Sequence, residues 1–174
     1  MNLFFVSIEK NGKTVIATSI IYMIAMFSSI VMCNSNTLIN YKICLYAYAA
    51  EPIDFVFGLL VSGPFAISTY YLKKDNFLSY VDSRIQRKKY LQGYISGNLL
   101  MCFCMVFCVN LISVIFSYYI ANVEPFEEGI NNTLSGYVLG NLQMEMPILF
   151  GFLWSIYKGL LGVIVCFFAQ MISL

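Results

Sequence analysis

The sequence predicts an all-α polytopic membrane protein with about four transmembrane helices. Of its 174 residues, 60% are hydrophobic and 11% are charged, and the mean hydropathy is +0.77. Soluble domains carry about 25% charged residues, so a soluble domain is not expected. The charged residues also divide the chain into apolar stretches that reach the roughly 20 residues needed to cross about 30 Å of hydrocarbon as a helix. We therefore expect a single transmembrane domain, 1–174, in contact with the lipid bilayer.

The first two spans are expected at 15–33 and 52–72. The first follows two lysines, and its apolar run is longer than the core of a signal peptide, so it is interpreted as a membrane anchor. The second reaches the length of a span if its helix begins near Pro52 and the lysines at its end snorkel to the surface. Gly63-Pro64 interrupts this second span.

The third and fourth spans are expected at 90–121 and 147–172. The uncharged stretch that begins at position 90 has about 34 residues, which corresponds to about 51 Å of helix. The third helix should therefore cross the hydrocarbon and project beyond it. The fourth span contains one charged residue, Lys158.

The basic residues predict the orientation of the four spans. Basic residues in short loops stay on the cytoplasmic side of a membrane. The segment between the second and third spans is rich in lysine and arginine, and the N-terminus carries Lys10 and Lys13. The other two loops carry several glutamates and a single lysine, Lys42. This distribution predicts that both termini are cytoplasmic.

The composition also excludes several classes of function. A net charge of +1 leaves no excess of basic residues for nucleic-acid phosphates, so no nucleic acid is expected as a partner. The chain has no histidine, which excludes His-liganded metal sites and catalytic sites with a histidine base. Gly12-Lys13-Thr14 resembles the end of a phosphate-binding loop, but Ser7 stands where that loop requires a glycine. We expect neither catalytic residues nor a cofactor.

A short amphipathic helix is predicted on the cytoplasmic side, between the second and third spans. Its apolar residues recur at helical spacing and form one face, and basic residues follow at the entry of the third span. Such a helix can rest on the lipid surface or dock into a partner's groove, and the spacing does not choose between them. The apolar face consists of Phe77, Leu78, Tyr80, Val81 and Ile85, and the basic residues are Arg84, Arg87, Lys88 and Lys89. Arg87, Lys88 and Lys89 are expected to anchor the third span at the membrane surface.

Two charged residues within apolar sequence require an explanation, because a charge in hydrocarbon costs several kcal/mol without water or a partner. Asp54 follows Pro52 closely and is expected in the external interface. Lys158 lies about eleven residues after Pro147, near mid-depth if the helix begins there. One interpretation is a polar point on a transport path. The other is that 146–157 lies partly in the outer interface or that the side chain snorkels outward past Trp154. We favour the second interpretation.

Small residues in the third span are interpreted as packing residues. Gly93-x-x-x-Gly97 has the spacing that lets another helix approach closely. Cys104 and Cys108 lie four residues apart on one helix face, where two thiols without further ligands make a weak metal site. We expect these cysteines to pack as small apolar side chains.

Two blocks of sequence resemble the permease subunit of bacterial type-2, exporter-type ATP-binding-cassette transporters, particularly small permeases of export or immunity systems. The first is Asp75-Asn76-Phe77 followed by SRIxRKKYL at 83–91, which enters a long hydrophobic helix. The second is LFGFLW at 149–154 followed by KGLLG at 158–162. Permeases of this family commonly have six spans and this sequence has about four, so a divergent or truncated member is expected.

The resemblance implies a membrane-spanning permease subunit of the bacterial cytoplasmic membrane, with ATP hydrolysed by a separate ATP-binding subunit. A second permease copy or a homologous permease would complete the path for the substrate. The amphipathic segment would be the coupling helix, pressed into a groove of the ATP-binding subunit. Its coupling residues would be Phe77, Leu78, Tyr80, Val81, Arg84 and Ile85.

Other classes of function stay open at this point. A four-span scaffold, immunity or regulatory protein would bind partners without transporting a substrate. A secondary transporter or channel would place ionisable groups at mid-membrane, for which Lys158 is the candidate. An intramembrane enzyme would need converging acid and base groups. Glu124, Glu127 and Glu128 cluster in the second external loop without an obvious base or metal partner.

Overall fold

Four long α-helices form the structure, a computed structural model that describes residues 3–34, 42–74, 87–120, 142 and 145–173. Their bounds are Leu3–Asn34 for α1, Lys42–Lys74 for α2, Arg87–Ile120 for α3 and Pro147–Ser173 for α4. The predicted all-α class with four membrane-length helices is confirmed. The short amphipathic helix predicted between the second and third spans lies outside the described residues.

Each helix contains a stretch long and apolar enough to cross a membrane. These stretches are Asn11–Asn34, Ala49–Lys74, Lys88–Ile120 and Ile148–Ser173. Large apolar side chains also point outward from the bundle, among them Phe55, Leu59 and Ile172. A soluble protein seldom exposes apolar surface of this extent, whereas lipid chains solvate it. The outer surface is therefore that of a membrane-spanning protein.

The helices run alternately up and down. Asn11 and Phe27 on α1 contact Asn98 and Phe116 on α3, so the contacts advance in the same direction and these two helices are parallel. The Ser29 hydroxyl near the end of α1 donates to a carbonyl near the start of α2, so those two are antiparallel. This is the order expected when consecutive spans cross the membrane in alternate directions.

The two central helices of the bundle are α2 and α3. Each packs against the other, and each packs against both α1 and α4, which flank the central pair on opposite sides. The main buried cluster draws on all four helices. Its members are Val15, Tyr22, Met26, Tyr46, Ala50, Ile53, Phe57, Val61, Phe65, Cys102, Met105, Val106, Val109, Val114 and Cys166. Because lipid is as apolar as these side chains, close van der Waals packing holds the helices together here.

Glycines let α4 lie close to its neighbours. A Cβ atom added at Gly159 would come within 2.8 Å of the Phe103 ring on α3, and one added at Gly162 would come within 3.1 Å of Val106. Only a hydrogen atom fits at the first position without displacement of an aromatic ring. Small residues at helix interfaces of membrane proteins have this effect, because they let two backbones approach.

The second helix extends further than the span predicted from the sequence. It begins at Lys42, about ten residues before Pro52, and it continues through Gly63-Pro64. Proline removes a backbone hydrogen bond but does not end a membrane helix whose neighbours hold it in place. Ala49 and Ala50, in the turn before Pro52, are buried against the rest of the bundle, which supplies that support.

Candidate functional site

An ion pair inside the bundle joins α2 to α4. The Lys158 Nζ atom donates to Asp54 Oδ2 at 2.6 Å. The two helices are parallel, and Val61 on α2 faces Gly162 on α4. Lys158 lies one helical turn before Gly162, and Asp54 lies about two turns before Val61. The long lysine side chain covers the remaining distance to the aspartate. The register that the glycine contact allows therefore brings the two charges together.

The ion pair is distant from both ends of the bundle. Along α2, Asp54 lies about 18 Å from Lys42 and about 30 Å from Lys74. Along α4, Lys158 lies about 16 Å from Pro147 and about 22 Å from Ser173. Charges at this depth are expensive unless they are paired, and the pair meets that condition.

The interpretation that Lys158 snorkels outward past Trp154 is wrong. The Lys158 side chain is 8% exposed, and its ammonium group lies 5.7 Å from the centre of the Trp154 ring and 5.6 Å from that of Phe57. The lysine turns inward because Asp54 offers its ammonium group a partner there. Reasoning from the sequence treated Asp54 and Lys158 separately, and no feature of their local sequence marks them as a pair.

Hydrogen-bonded side chains continue this site across the bundle to α1 and α3. Asn110 on α3 donates from Nδ2 to the Tyr22 hydroxyl at 3.2 Å, and its Oδ1 accepts a hydrogen bond from the Tyr46 hydroxyl. All three side chains are buried. Phe57 contacts both this group and the ion pair, because its ring centre lies 6.4 Å from that of Tyr22 and 5.6 Å from Lys158 Nζ. The ring centre of Trp154 lies 5.7 Å from the same Nζ atom. We call Tyr22, Tyr46, Asp54, Asn110, Trp154 and Lys158 the mid-bundle network. All four helices contribute to it.

A second polar cluster lies nearer the end of the bundle where α2 finishes and α3 begins. Asn11 donates from Nδ2 to the Tyr94 hydroxyl at 3.0 Å and to Asn98 Oδ1 at 2.8 Å. The Ser68 hydroxyl donates to Asn11 Oδ1 at 2.6 Å and also contacts the Tyr94 hydroxyl. These four residues, which we call the inner polar cluster, connect α1, α2 and α3. Uncharged and largely buried, they serve to hold helices in register.

The mid-bundle network offers groups that can recognise charge. It offers one carboxylate, one ammonium group, two phenols, an amide and an indole. Within the described parts of the chain no group of three histidine, cysteine, aspartate or glutamate side chains could hold a metal ion. The Asp54 side chain is 43% exposed, so the carboxylate is the accessible end of the network.

The cysteines occupy two different environments. Cys104 and Cys108 are exposed on α3, on the outer surface of the bundle rather than inside it. Cys102 on α3 and Cys166 on α4 belong to the same buried cluster. Gln170 donates to the Cys166 Sγ atom at 3.0 Å. The spacing of the cysteines in the sequence did not indicate that Cys102 and Cys166, on two different helices, lie in one cluster.

The basic residues of the proposed cytoplasmic face are placed in part. Lys88 and Lys89 are exposed at the start of α3, and the side chain of Arg87 lies outside the described residues. Leu72, Tyr90 and Tyr94 pack together, so the end of α2 lies against the start of α3. Lys73 and Lys74, which end α2, are exposed at the same end of the bundle. The predicted coupling residues Phe77, Leu78, Tyr80, Val81, Arg84 and Ile85 all lie outside the described residues.

Comparison of the chain with protein-family models, curated proteins and solved structures finds no match.

Proposed function

We propose that this chain is the membrane-spanning permease subunit of an ATP-binding-cassette transporter in a bacterial cytoplasmic membrane. In this proposal a separate subunit binds and hydrolyses ATP, and a second permease copy or a homologous permease completes the path. The chain itself performs no catalysis. The resemblance of 75–91 and 149–162 to such permeases motivates the proposal, and the arrangement of the helices supports it.

The supporting observation is the position of the two helices that the segment 75–86 joins along the sequence. This segment connects α2 to α3, the two central helices that each pack against all the others. A partner that pulls or pushes on the segment would therefore act on both central helices at once. The mid-bundle network contains residues of both, Asp54 on α2 and Asn110 on α3, and so it lies where such a movement would be felt. A coupling of this kind needs contacts that differ between two states of the partner.

The experiment that tests the proposal is association with an ATP-binding subunit. Phe77→Asp, Tyr80→Asp and Ile85→Asp, combined in one variant, place charges on the apolar face of the predicted coupling helix. We expect this variant to lose co-purification with the ATP-binding subunit that the proposal requires. The matched control carries Ser83→Asp and Gln86→Asp, which add charge to the polar face of the same segment. This control is expected to keep the association, and equal retention by both variants would contradict the proposal.

A four-span scaffold, immunity or regulatory protein is the second candidate. The number of membrane-length helices favours it, because four are described and permeases of the family resembled commonly have six. The two candidates differ in their effect on ATP hydrolysis. In liposomes that hold both proteins, a permease changes the ATPase rate of its partner and the triple-aspartate variant abolishes that change. A scaffold binds and leaves the rate unaltered.

A further inference from the structure

The surroundings of Lys158 form a cage for an ammonium group. A carboxylate oxygen of Asp54 lies 2.6 Å from Nζ, and the rings of Phe57 and Trp154 lie 5.6 and 5.7 Å from it. A carboxylate combined with aromatic rings is the arrangement by which proteins recognise organic cations. In this structure the cage holds the protein's own lysine. Lys158 therefore shows directly which chemical group these three side chains accept.

The cage is open on the side of the carboxylate. The Lys158 side chain is nearly buried, whereas the Asp54 side chain is 43% exposed. Glu51, one turn earlier on α2, is exposed as well, so two carboxylates accompany one ammonium group in this part of the bundle. Within the described ranges Lys158 with Asp54 is the one ion pair found. The balance of charge at the opening is thus negative, which favours a further cation.

Exposed aromatic side chains lie beside the residues of the cage. Phe55, next to Asp54, is 91% exposed, and Tyr157 is exposed with its ring 5.4 Å from that of Trp154. A carboxylate that is half exposed on an apolar surface is stabilised by a polar occupant, because hydrocarbon cannot hydrogen-bond to it. An occupant that combines an ammonium group with an apolar body would satisfy both the carboxylate and the rings. A hydrated metal ion would instead require several more oxygen ligands.

We propose that Asp54, with Trp154 and Tyr157 beside it, binds the protonated amine of an amphipathic organic cation. The ligand's ammonium group contacts the exposed side of the Asp54 carboxylate, and its apolar part lies against the two rings. Lys158 competes for the same carboxylate and thereby limits the affinity. The proposal names the substrate class of the proposed permease and rests on that function for its physiological meaning. Binding itself can be measured on the isolated chain.

The single tryptophan of the chain is a built-in reporter, because Trp154 lies at the site. Dodecylamine, which is protonated at neutral pH, is titrated into the purified protein in dodecyl maltoside while tryptophan fluorescence is recorded. Dodecanol, with the same chain and no charge, corrects for partition into the micelle. We expect a saturable change with the amine that the alcohol does not produce. Equal responses to the two compounds would overturn the proposal.

Variants separate Asp54 from its neighbours. Asp54→Asn is expected to weaken dodecylamine binding by about tenfold or more, because a neutral amide replaces the charge that the ammonium group contacts. Glu51→Gln removes one negative charge a turn away and is expected to weaken binding less than about threefold, since exposed charges at that distance are screened. Equal losses in the two variants would show attraction by a diffuse negative surface and would contradict a site at Asp54.

Lys158→Met provides a test that does not depend on the folding of the Asp54→Asn variant. This substitution removes the competing ammonium group and is expected to tighten dodecylamine binding by about tenfold. Weaker binding in Lys158→Met would overturn the proposed competition. These measurements contain no ATP-binding subunit, so the triple-aspartate variant of segment 75–86 should bind dodecylamine as the wild type does. Failure of cation binding and failure of ATPase coupling are therefore separate results.

Discussion

The two outer helices are attached to the central pair by different interactions. On one side, α1 is held by hydrogen bonds: Asn11 donates to α3, Tyr22 accepts from Asn110 on α3, and Ser29 donates to α2. On the other side, α4 is held by close packing around its glycines and by the Lys158–Asp54 ion pair. Both helices bury apolar side chains, yet lipid removes the hydrophobic driving force that would hold them in water.

The comparison shows two ways in which a membrane helix can be attached. Several modest hydrogen bonds divide the stabilisation of α1 among many residues, each worth about 1 kcal/mol in the membrane. The stabilisation of α4 is concentrated at a few positions, where its packing against α2 and α3 depends on a single glycine or a single charge. Substitutions on α4 should therefore have larger effects than substitutions on α1.

The largest effect is expected from Gly159→Leu. The new side chain would overlap the Phe103 ring, whose atoms lie 2.8 Å from an added Cβ, and so it would force α4 away from α3. We expect a loss of about 3 kcal/mol in the free energy of unfolding, at the upper end for overpacked interfaces. Unfolding by sodium dodecyl sulfate, followed by circular dichroism, measures this value.

Native cysteines report whether α4 has separated from α3. Cys102 and Cys166 are buried between the two helices, whereas Cys104 and Cys108 are exposed. In Gly159→Leu the buried pair should become as reactive towards a maleimide as the exposed pair, read by mass spectrometry of the peptides. Gly12→Leu is the control, because a Cβ at Gly12 meets no atom within 4 Å. If the buried cysteines reacted equally in both glycine variants, close packing around Gly159 would not be what holds α4 against α3.

The next largest effect is expected from Asp54→Asn. This substitution leaves the ammonium group of Lys158 buried without its counter-charge. We expect a loss of about 2 kcal/mol, below the value for a fully buried pair because Asp54 is half exposed. Lys158→Met should cost less, about 1 kcal/mol, because the carboxylate that remains is half exposed. The same unfolding titration measures both variants and the double variant. If the two side chains are coupled, the double variant should lose less unfolding free energy than the sum of the losses in the two single variants. A loss equal to that sum would show that they are not coupled.

An intermediate effect is expected at the contact between the mid-bundle network and α1. Asn110→Leu removes the partner of two buried phenols, Tyr22 and Tyr46, and should cost about 1 to 2 kcal/mol. Ser113→Ala, on the same helix, removes a hydroxyl that donates to the carbonyl of Val109 in its own helix. That control should change the unfolding free energy by less than about 0.5 kcal/mol. Comparable losses in the two variants would mean that the hydrogen bonds of α1 carry no stabilisation between helices.

The sequence was sufficient to predict the four helices, because charge spacing and hydropathy report directly on what lipid can solvate. It was not sufficient for the start of α2. Pro52 looked like a first residue of a helix, and only the burial of Ala49 and Ala50 against other helices explains why the helix begins earlier. The contribution of neighbouring helices is not visible in a local stretch of sequence.

The site was less predictable than the fold for a related reason. Asp54 and Lys158 are 104 residues apart, and their pairing depends on how α2 and α4 are aligned lengthwise. That alignment follows from contacts such as Gly162 against Val61. The spacing at Gly93 and Gly97 predicted close packing on α3, whereas Gly159 and Gly162 on α4 do not have that spacing. Hydropathy does not predict how two helices are aligned lengthwise, since each helix is apolar along most of its length.

The smallest effect is expected from Ser29→Ala, which removes a hydrogen bond of 2.7 Å from α1 to the Ala49 carbonyl on α2. The loss should be about 0.5 kcal/mol, because that carbonyl also belongs to the regular backbone bonding of its own helix. Ser19→Ala is the matched control on α1: its hydroxyl donates at 2.7 Å to the Val15 carbonyl within the same helix. The difference in unfolding free energy between the two variants isolates the part that crosses between helices. A difference of zero would mean that α1 is held by its packing and by the hydrogen bonds of Asn11 and Tyr22. A difference as large as the loss in Asp54→Asn would mean that α1 and α4 do not differ in how their stabilisation is distributed.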